Sequence, residues 1–189
     1  MQGTTLYIKN MVCDRCIMVV RELLNQLGFT VQSVELGKAV VAEEPDAAQR
    51  EKLRGELQAL GFELLDDKRM QLVEQMRNAI IELVHYQQNQ LKVNLSQFLS
   101  DKFHHDYSFL SKLFSEETGT TIEKYLIAQK IERVKELLMY GELSLSEIAL
   151  TMNYSSVAHL STQFKNVTGM TPSAFKQQKV QLRKPLDKV

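Results

Sequence analysis

Hydrophobic positions change their spacing several times along the first third of the chain. Four short segments alternate apolar and polar residues, as strands do, whereas two longer segments repeat apolar residues every three to four positions, as helices do. The strand-like segments are residues 4–9, 30–35, 39–43 and 62–65, and the helical ones are residues 17–27 and 46–60. Gly28 and Gly61 follow the two helical segments, where a helix commonly ends. The pattern predicts the element order βαββαβ for residues 1–66.

From residue 67 onward the spacing is helical throughout. Residues 67–88 carry an apolar stripe that is too wide for a solvated linker. The stripe consists of Leu72, Val73, Met76, Ala79, Ile80, Leu83, Val84 and Tyr86. It predicts either packing on the C-terminal domain or pairing with a second copy of the chain, and the pattern leaves both open. A polar run at residues 87–90 follows.

Residues 144–169 form the most informative stretch of the sequence. Ser144 or Ser146 can cap a first short helix, and Asn153 can adopt the left-handed conformation at the turn that follows. A second helix, at residues 156–167, is expected to bury Val157, Leu160, Phe164 and Val167. Two short helices around a tight turn, with small polar residues on the outer face of the second, are typical of a helix-turn-helix that reads DNA.

A second copy of this pattern lies upstream. Residues 95–103 fit its first helix, and residues 107–119 fit its recognition helix, the helix that enters the major groove and is called the reading helix below. On the reading helix we expect Phe109, Leu110, Leu113 and Phe114 in the core, and Tyr107, Ser108, Ser111 and Lys112 outside. The predicted fold class is therefore α+β. An N-terminal βαββαβ ferredoxin-like domain at residues 1–66 is followed by a connecting helix at 67–90. An all-α domain with two helix-turn-helix motifs follows at 91–180, and a tail at 181–189 ends the sequence.

The C-terminal motifs are similar to those of AraC/XylS-type transcription factors. The resemblance rests on Leu145-Ser-Glu-Ile-Ala149, Tyr154, Phe164-Lys165 and Gly169-Met-Thr-Pro-Ser173 followed by Phe175, together with the upstream motif. It covers about residues 90–180. The sequence departs from the family pattern at four positions. The family often has arginine in place of Lys130, alanine in place of Val134, glycine in place of Asn153 and an aromatic residue in place of Leu160.

The resemblance implies binding of double-stranded DNA through two successive major-groove segments, roughly 10 bp apart. The residues that it places at the first segment are Ser108, Ser111 and Lys112, and those at the second are Ser156, His159, Thr162 and Gln163. It implies that Lys165 contacts phosphate. His159 on its own is equally consistent with an ordinary surface histidine.

A cysteine pair lies between the first predicted strand and helix. The segment Met11-x-Cys13-x-x-Cys16, with Leu60-Gly61-Phe62 at the end of the unit, resembles a heavy-metal-associated domain. Cysteine thiolates are soft ligands, and a helix N-terminus is expected to lower a thiol pKa. Two sulfurs without a histidine or carboxylate partner suit Cu(I) better than Zn(II), although other soft ions are not excluded. Met11 is expected to be a buried wedge, and a purely interaction-mediating domain is the alternative.

Charge and composition add limits on function. Residues 1–94 carry 11 basic and 13 acidic side chains, and residues 95–189 carry 12 and 10, so the C-terminal half is only weakly basic. Phosphate neutralisation drives DNA affinity, so we expect modest affinity for a monomer, or help from dimerisation. The sequence has no run of about 18 apolar residues and no charged segment followed by an apolar one at its start, which predicts a cytoplasmic protein without membrane contact. The His104-His105 pair is expected to be exposed rather than metal-binding.

These features favour a regulator that binds DNA, is not an enzyme, and responds to a soft metal at Cys13 and Cys16. Its expected partners are double-stranded DNA, a second copy through residues 67–88 and a metal-donor protein. A copper chaperone or buffer that uses its helical domain for protein docking is the main alternative. A thiol oxidoreductase is a third hypothesis, because a CxxC pair also occurs in that class.

Overall fold

The computed structural model describes residues 3–86, 93–177 and 186 of the chain. The chain divides into two compact units, Met1–Asn78 and Ala79–Val189. The predicted polar run at residues 87–90 lies outside the described residues. So does the predicted tail, apart from Leu186.

The first unit contains a four-stranded antiparallel sheet and two helices. Its elements, in chain order, are β1 (Thr4–Lys9), α1 (Asp14–Gln26), β2 (Val31–Glu35), β3 (Lys38–Val41), α2 (Ala47–Ala59) and β4 (Glu63–Leu65). The strands lie in the order β2-β3-β1-β4. The predicted order of elements is present, and the ends of each strand lie within two residues of the predicted ends.

The core of this unit lies between the sheet and its helices. Leu6 and Ile8 of β1 are buried with residues of both helices, such as Leu24 and Leu57. The helical spacing of residues 46–60 would place Leu53, Leu57 and Leu60 on one apolar face, but Leu60 is 50% exposed. Leu60 is the C-cap of α2, where the chain leaves the helix and the stripe no longer faces the sheet.

The connecting helix is interrupted. It consists of α3 (Lys68–Ile81) and a π-helical segment, Glu82–Tyr86. The residues of the predicted stripe from Val73 to Val84 are buried, but Tyr86 is 47% exposed. A π-helical turn takes more residues than an α-helical turn, so the stripe changes phase there and no longer includes Tyr86.

The second unit is helical. After the π-helical segment its helices are α4 (Leu95–Phe103), α5 (Tyr107–Thr118), α6 (Ile122–Tyr140), α7 (Leu145–Thr151), α8 (Val157–Thr168) and α9 (Pro172–Gln177). Within the residues that the structure describes, no helix is long and apolar enough to cross a membrane.

Helices α4 to α9 contain the same arrangement twice, with corresponding residues 50 positions apart. Phe114 of α5 packs on Tyr125 at 5.6 Å between ring centroids, and Phe164 of α8 packs on Phe175 at 5.5 Å. Gly119, with φ 71°, ends α5, and Gly169, with φ 81°, ends α8 in the corresponding way. The two helix-turn-helix motifs therefore share one packing scheme.

Two residues that were expected in the core of this unit are exposed instead. Phe109 is 48% exposed and stacks on the His105 ring at a centroid distance of 5.0 Å. The buried positions of α5 are Leu110, Leu113 and Phe114, a stripe too narrow to include Phe109. Val167 is also 48% exposed, because it lies in the last turn of α8, at the edge of the stripe. Val157, expected in the same core, is only half-buried.

Candidate DNA interface and thiol pair

The first candidate reading helix is α5. Ser108 and Lys112 are exposed on it, and Ser111 is half-buried. The Lys112 Nζ lies 3.9 Å from Oε1 of Glu116, one turn further along the helix. This exposed pair is weak, but the carboxylate reduces the positive potential that Lys112 could offer to a phosphate. Tyr107 is not free to read a base, because its hydroxyl donates a hydrogen bond to the Glu123 carboxylate.

The helix before the second reading helix begins with a capping box. The Ser144 hydroxyl accepts from the Glu147 N–H at 3.3 Å, and the Glu147 carboxylate accepts from the Ser144 N–H at 2.7 Å. These hydrogen bonds hold the pKa of Glu147 below its usual range. Asn153 follows with φ 54°, the left-handed conformation that its side chain predicts. Of the two predicted caps, Ser144 is therefore the one used.

The second candidate reading helix, α8, starts at a polar cap. The Ser156 hydroxyl oxygen accepts from the His159 N–H at 3.0 Å, so this side chain first serves to start the helix. His159, Thr162 and Lys165 are exposed. Gln163 is half-buried, and its Oε1 accepts a hydrogen bond of 2.7 Å from the Tyr154 hydroxyl. The structure therefore leaves four of the five predicted contact residues of this motif exposed, and only Gln163 is half-buried. The ring Nδ1 of His159 also lies 3.1 Å from the Ser155 hydroxyl.

Sequence reasoning missed a group of side chains behind α8. The Tyr154 ring lies between Lys130 of α6, whose Nζ is 4.0 Å from the ring centroid, and His159, whose ring meets it edge-on at 5.3 Å. Burial lowers the pKa of Lys130 to about 8. The attraction between the cation and the aromatic face works against this shift. Tyr154 and Lys130 are 24 residues apart, and no periodicity in the sequence joins them.

The thiol pair lies where α1 begins. Cys13 is the N-cap residue and Cys16 lies in the first turn, with 3.4 Å between the two sulfur atoms. Burial raises the pKa of the Cys16 thiol, and the backbone hydrogen bond at Val12 only partly offsets this. The expected lowering of a thiol pKa at this helix start is therefore wrong for Cys16, because its desolvation outweighs the favourable backbone groups. Met11 is fully buried beneath the loop.

The two sulfurs fit a shared soft ion. Ligand sulfurs at about 2.3 Å from one ion can be up to about 4.6 Å apart, so the observed separation is within reach of both. Among the described residues no group of three or more histidine, cysteine, aspartate or glutamate side chains could hold a metal. Two thiol donors suit a soft monovalent ion better than a four-coordinate zinc ion.

The loop that carries the thiols is tied to α3. Asn10, with φ 72°, donates its backbone N–H to Oε1 of Glu74 at 3.0 Å, and its side chain bonds to the Gly61 carbonyl at 3.0 Å. Glu74 is only 5% exposed, and burial raises the pKa of its carboxyl group. A change in the loop at Asn10 would therefore act directly on a buried carboxylate of α3.

Comparison with known proteins supports the helical part of this description. A protein-family model described as a helix-turn-helix domain matches residues 99–178. The Msm operon regulatory protein of Streptococcus mutans is 29% identical over 102 residues, which are 53% of this chain and 36% of that protein. The xylose operon regulatory protein of Escherichia coli K12 is 32% identical over 100 residues, which are 52% of this chain and 25% of that protein.

A solved structure is also similar to this chain. It is the C-terminal domain of the two-component response regulator yesN from Fusobacterium nucleatum, with 29% identity and a TM-score of 0.47 over 55% of this chain and 96% of that one. The chain spans about a quarter to a third of the length of the two curated relatives named above. Residues 99–178 thus match a helix-turn-helix domain.

Proposed function

We propose that this chain is a cytoplasmic transcription regulator, not an enzyme, that binds double-stranded DNA through α5 and α8. The observation that carries the proposal is the motif that occurs twice in helices α4 to α9, with α5 and α8 in corresponding positions. The relatives named above are regulatory proteins of operons, which supports the same function. We take Ser108, Ser111 and Lys112 as the contacts of α5.

On α8 we take His159, Thr162 and Gln163 as contacts with base edges and Lys165 as a contact with phosphate. Ser156 holds the first turn in place and can still donate its hydroxyl proton to a phosphate. The weak positive charge of this half predicts modest affinity and a shallow salt dependence for a single copy. Dimerisation through residues 67–88 would increase the affinity without new contacts to DNA.

The test is selection of a preferred sequence from a random duplex library, followed by fluorescence anisotropy at fixed salt. We expect Thr162→Ala to reduce the preference for the selected site. Lys165→Ala should weaken binding to all duplexes and lower the salt slope by about one. Lys52→Ala is the matched control, since it removes the same charge from an exposed position of α2. A library that yields no enriched sequence, or equal loss in the Lys52 and Lys165 variants, would contradict the proposal.

We further propose that residues 1–66 form a ferredoxin-like, heavy-metal-associated domain that holds Cu(I) or another soft ion at Cys13 and Cys16. The strand order β2-β3-β1-β4 and the 3.4 Å between the sulfurs support this proposal. Bound metal would replace the thiol protons, so affinity should fall as the pH is lowered. The contact from Asn10 to Glu74 offers a route from the loop to α3.

Anaerobic titration of the reduced protein with Cu(I) against a competing chelator tests the metal site. We expect one ion per chain, with loss of binding in a Cys13→Ser/Cys16→Ser variant and little change in an Asp14→Asn variant. DNA anisotropy with and without the ion then separates two functions. A changed DNA affinity supports metal-dependent regulation, whereas transfer of Cu(I) to a partner domain without any DNA binding supports a chaperone or buffer. Catalysed thiol–disulfide exchange would instead support an oxidoreductase.

A further inference from the structure

The Tyr154 ring is held from several directions in the turn between α7 and α8. Its side chain is only 8% exposed, and its backbone N–H donates to the Ala149 carbonyl at 2.8 Å. Lys130 lies over the ring face at 4.0 Å, and the His159 ring meets it at an interplanar angle of 88°. A ring held in this way places its hydroxyl at a defined point beside α8.

That hydroxyl donates to Oε1 of Gln163 at 2.7 Å. A glutamine amide has one acceptor end and one donor end, and a free side chain can present either of them. The bond to Tyr154 turns Oε1 towards the tyrosine, so Nε2, with its two N–H groups, is the end of the amide that is left to meet a ligand. In the major groove, guanine presents two acceptors, O6 and N7, whereas the bidentate contact of glutamine with adenine also requires the amide oxygen.

We propose that Tyr154 is a positioning residue that orients the Gln163 amide and thereby sets one base preference of α8. The inference rests on the proposed function, because it concerns how the reading helix discriminates between bases. With its amide oxygen held, Gln163 offers donors and favours a base with acceptors in the groove, such as guanine. Without the Tyr154 hydroxyl, the amide can rotate and accept adenine as well.

The decisive variant is Tyr154→Phe, which keeps the ring and removes only the hydroxyl. Tyr125→Phe is the matched control. The Tyr125 hydroxyl accepts a hydrogen bond of 3.0 Å from Nε2 of Gln129, and this buried tyrosine–glutamine pair lies within α6 rather than on a reading helix. Both variants lose one tyrosine–glutamine hydrogen bond, so a merely structural role would affect them alike.

The first measurement uses the free protein and needs no DNA. In a ¹H–¹⁵N spectrum, the side-chain amide signals of Gln163, assigned by their loss in Gln163→Ala, should move in Tyr154→Phe and stay in place in Tyr125→Phe. Unmoved Gln163 signals in Tyr154→Phe would overturn the inference, whatever the protein does with DNA.

The second measurement is base preference. The position read by Gln163 is the one at which Gln163→Ala abolishes discrimination among duplexes. At that position we expect the preference for guanine over adenine to fall by roughly fivefold or more in Tyr154→Phe. Preferences at other positions and the salt slope should stay unchanged, and Tyr125→Phe should behave like the wild type. If the wild type selects a site and Tyr154→Phe keeps the same preference, this inference alone fails. If the wild type selects nothing, the proposed function fails with it.

Discussion

The two helix-turn-helix motifs have the same contacts in their cores and at the ends of α5 and α8, but they differ in the side chains beside the surface expected to contact DNA. At the end of α5, the Thr118 hydroxyl donates to the Phe114 carbonyl at 2.7 Å, and at the end of α8 the Thr168 hydroxyl donates to the Phe164 carbonyl at the same distance. On the other side chains of these helices the motifs differ: α5 exposes Phe109, whereas the Gln163 amide of α8 is hydrogen-bonded to Tyr154. Packing thus defines the shared scaffold, and the exposed face is where the two copies have diverged.

The largest expected effect comes from the shared core. Phe114→Ala and Phe164→Ala each remove a fully buried ring, and each should lower the free energy of unfolding by about 3–5 kcal/mol. Denaturant unfolding measures both. If the two motifs are equivalent in packing, the two losses should agree within about 1 kcal/mol. A loss of unfolding free energy below about 1 kcal/mol in only one variant would show that the two motifs are not packed equivalently.

The glycines that end the reading helices are expected to have the next largest effect. Gly119 and Gly169 have positive φ angles, and a Cβ atom at either would meet nothing within 4 Å, so only backbone strain opposes alanine. We expect Gly119→Ala and Gly169→Ala to cost about 1–2 kcal/mol each in thermal unfolding. Gly55→Ala is the control, because Gly55 lies inside α2 with equal space and should instead gain about 0.5–1 kcal/mol. Equal signs for all three would contradict this account.

A smaller effect should distinguish the two motifs. Ser156 caps α8 with a side-chain hydrogen bond, whereas Asp106, 50 positions earlier, is the N-cap residue of α5 and makes none. Ser156→Ala should therefore lower the free energy of unfolding by about 1 kcal/mol. Asp106→Ala should cost clearly less, because it removes only a charge near the helix start. Urea unfolding of both variants decides the point, and a larger loss for Asp106→Ala would reverse the assignment of the caps.

The last expected effect is a pH dependence at Lys130 of α6, whose Nζ packs on the Tyr154 ring of the second motif. Burial lowers the pKa of Lys130 to about 8, from an ordinary value of 10.5, so between these values the unfolded chain binds more protons than the folded one. Stability from this group should therefore rise as the pH increases from about 8 to 10.5. We expect the slope of stability against pH in this window to be shallower in Lys130→Met. An unchanged slope would mean that Lys130 titrates normally in the folded protein.

The amino-acid sequence determined the elements and the scaffold. Alternating and helical spacings gave the order of strands and helices in the first unit, since burial on one side imposes those periods on a strand or a helix. Small polar residues and glycines marked helix ends, as at Ser144 and Gly28, because their effect on the backbone is local. The sequence also placed the two cysteines at the start of α1 and the two helix-turn-helix motifs in the second unit.

Only the tertiary structure decided what individual side chains do. The pKa of Cys16 depends on how deeply the loop is buried, which neighbouring residues in the sequence do not report. Phe109 looked like a core residue by spacing, but the width of the buried stripe depends on the helices packed against α5. The contacts that Tyr154 makes with Lys130 and Gln163 join a turn to the helices α6 and α8 through packing, so no local pattern could reveal them.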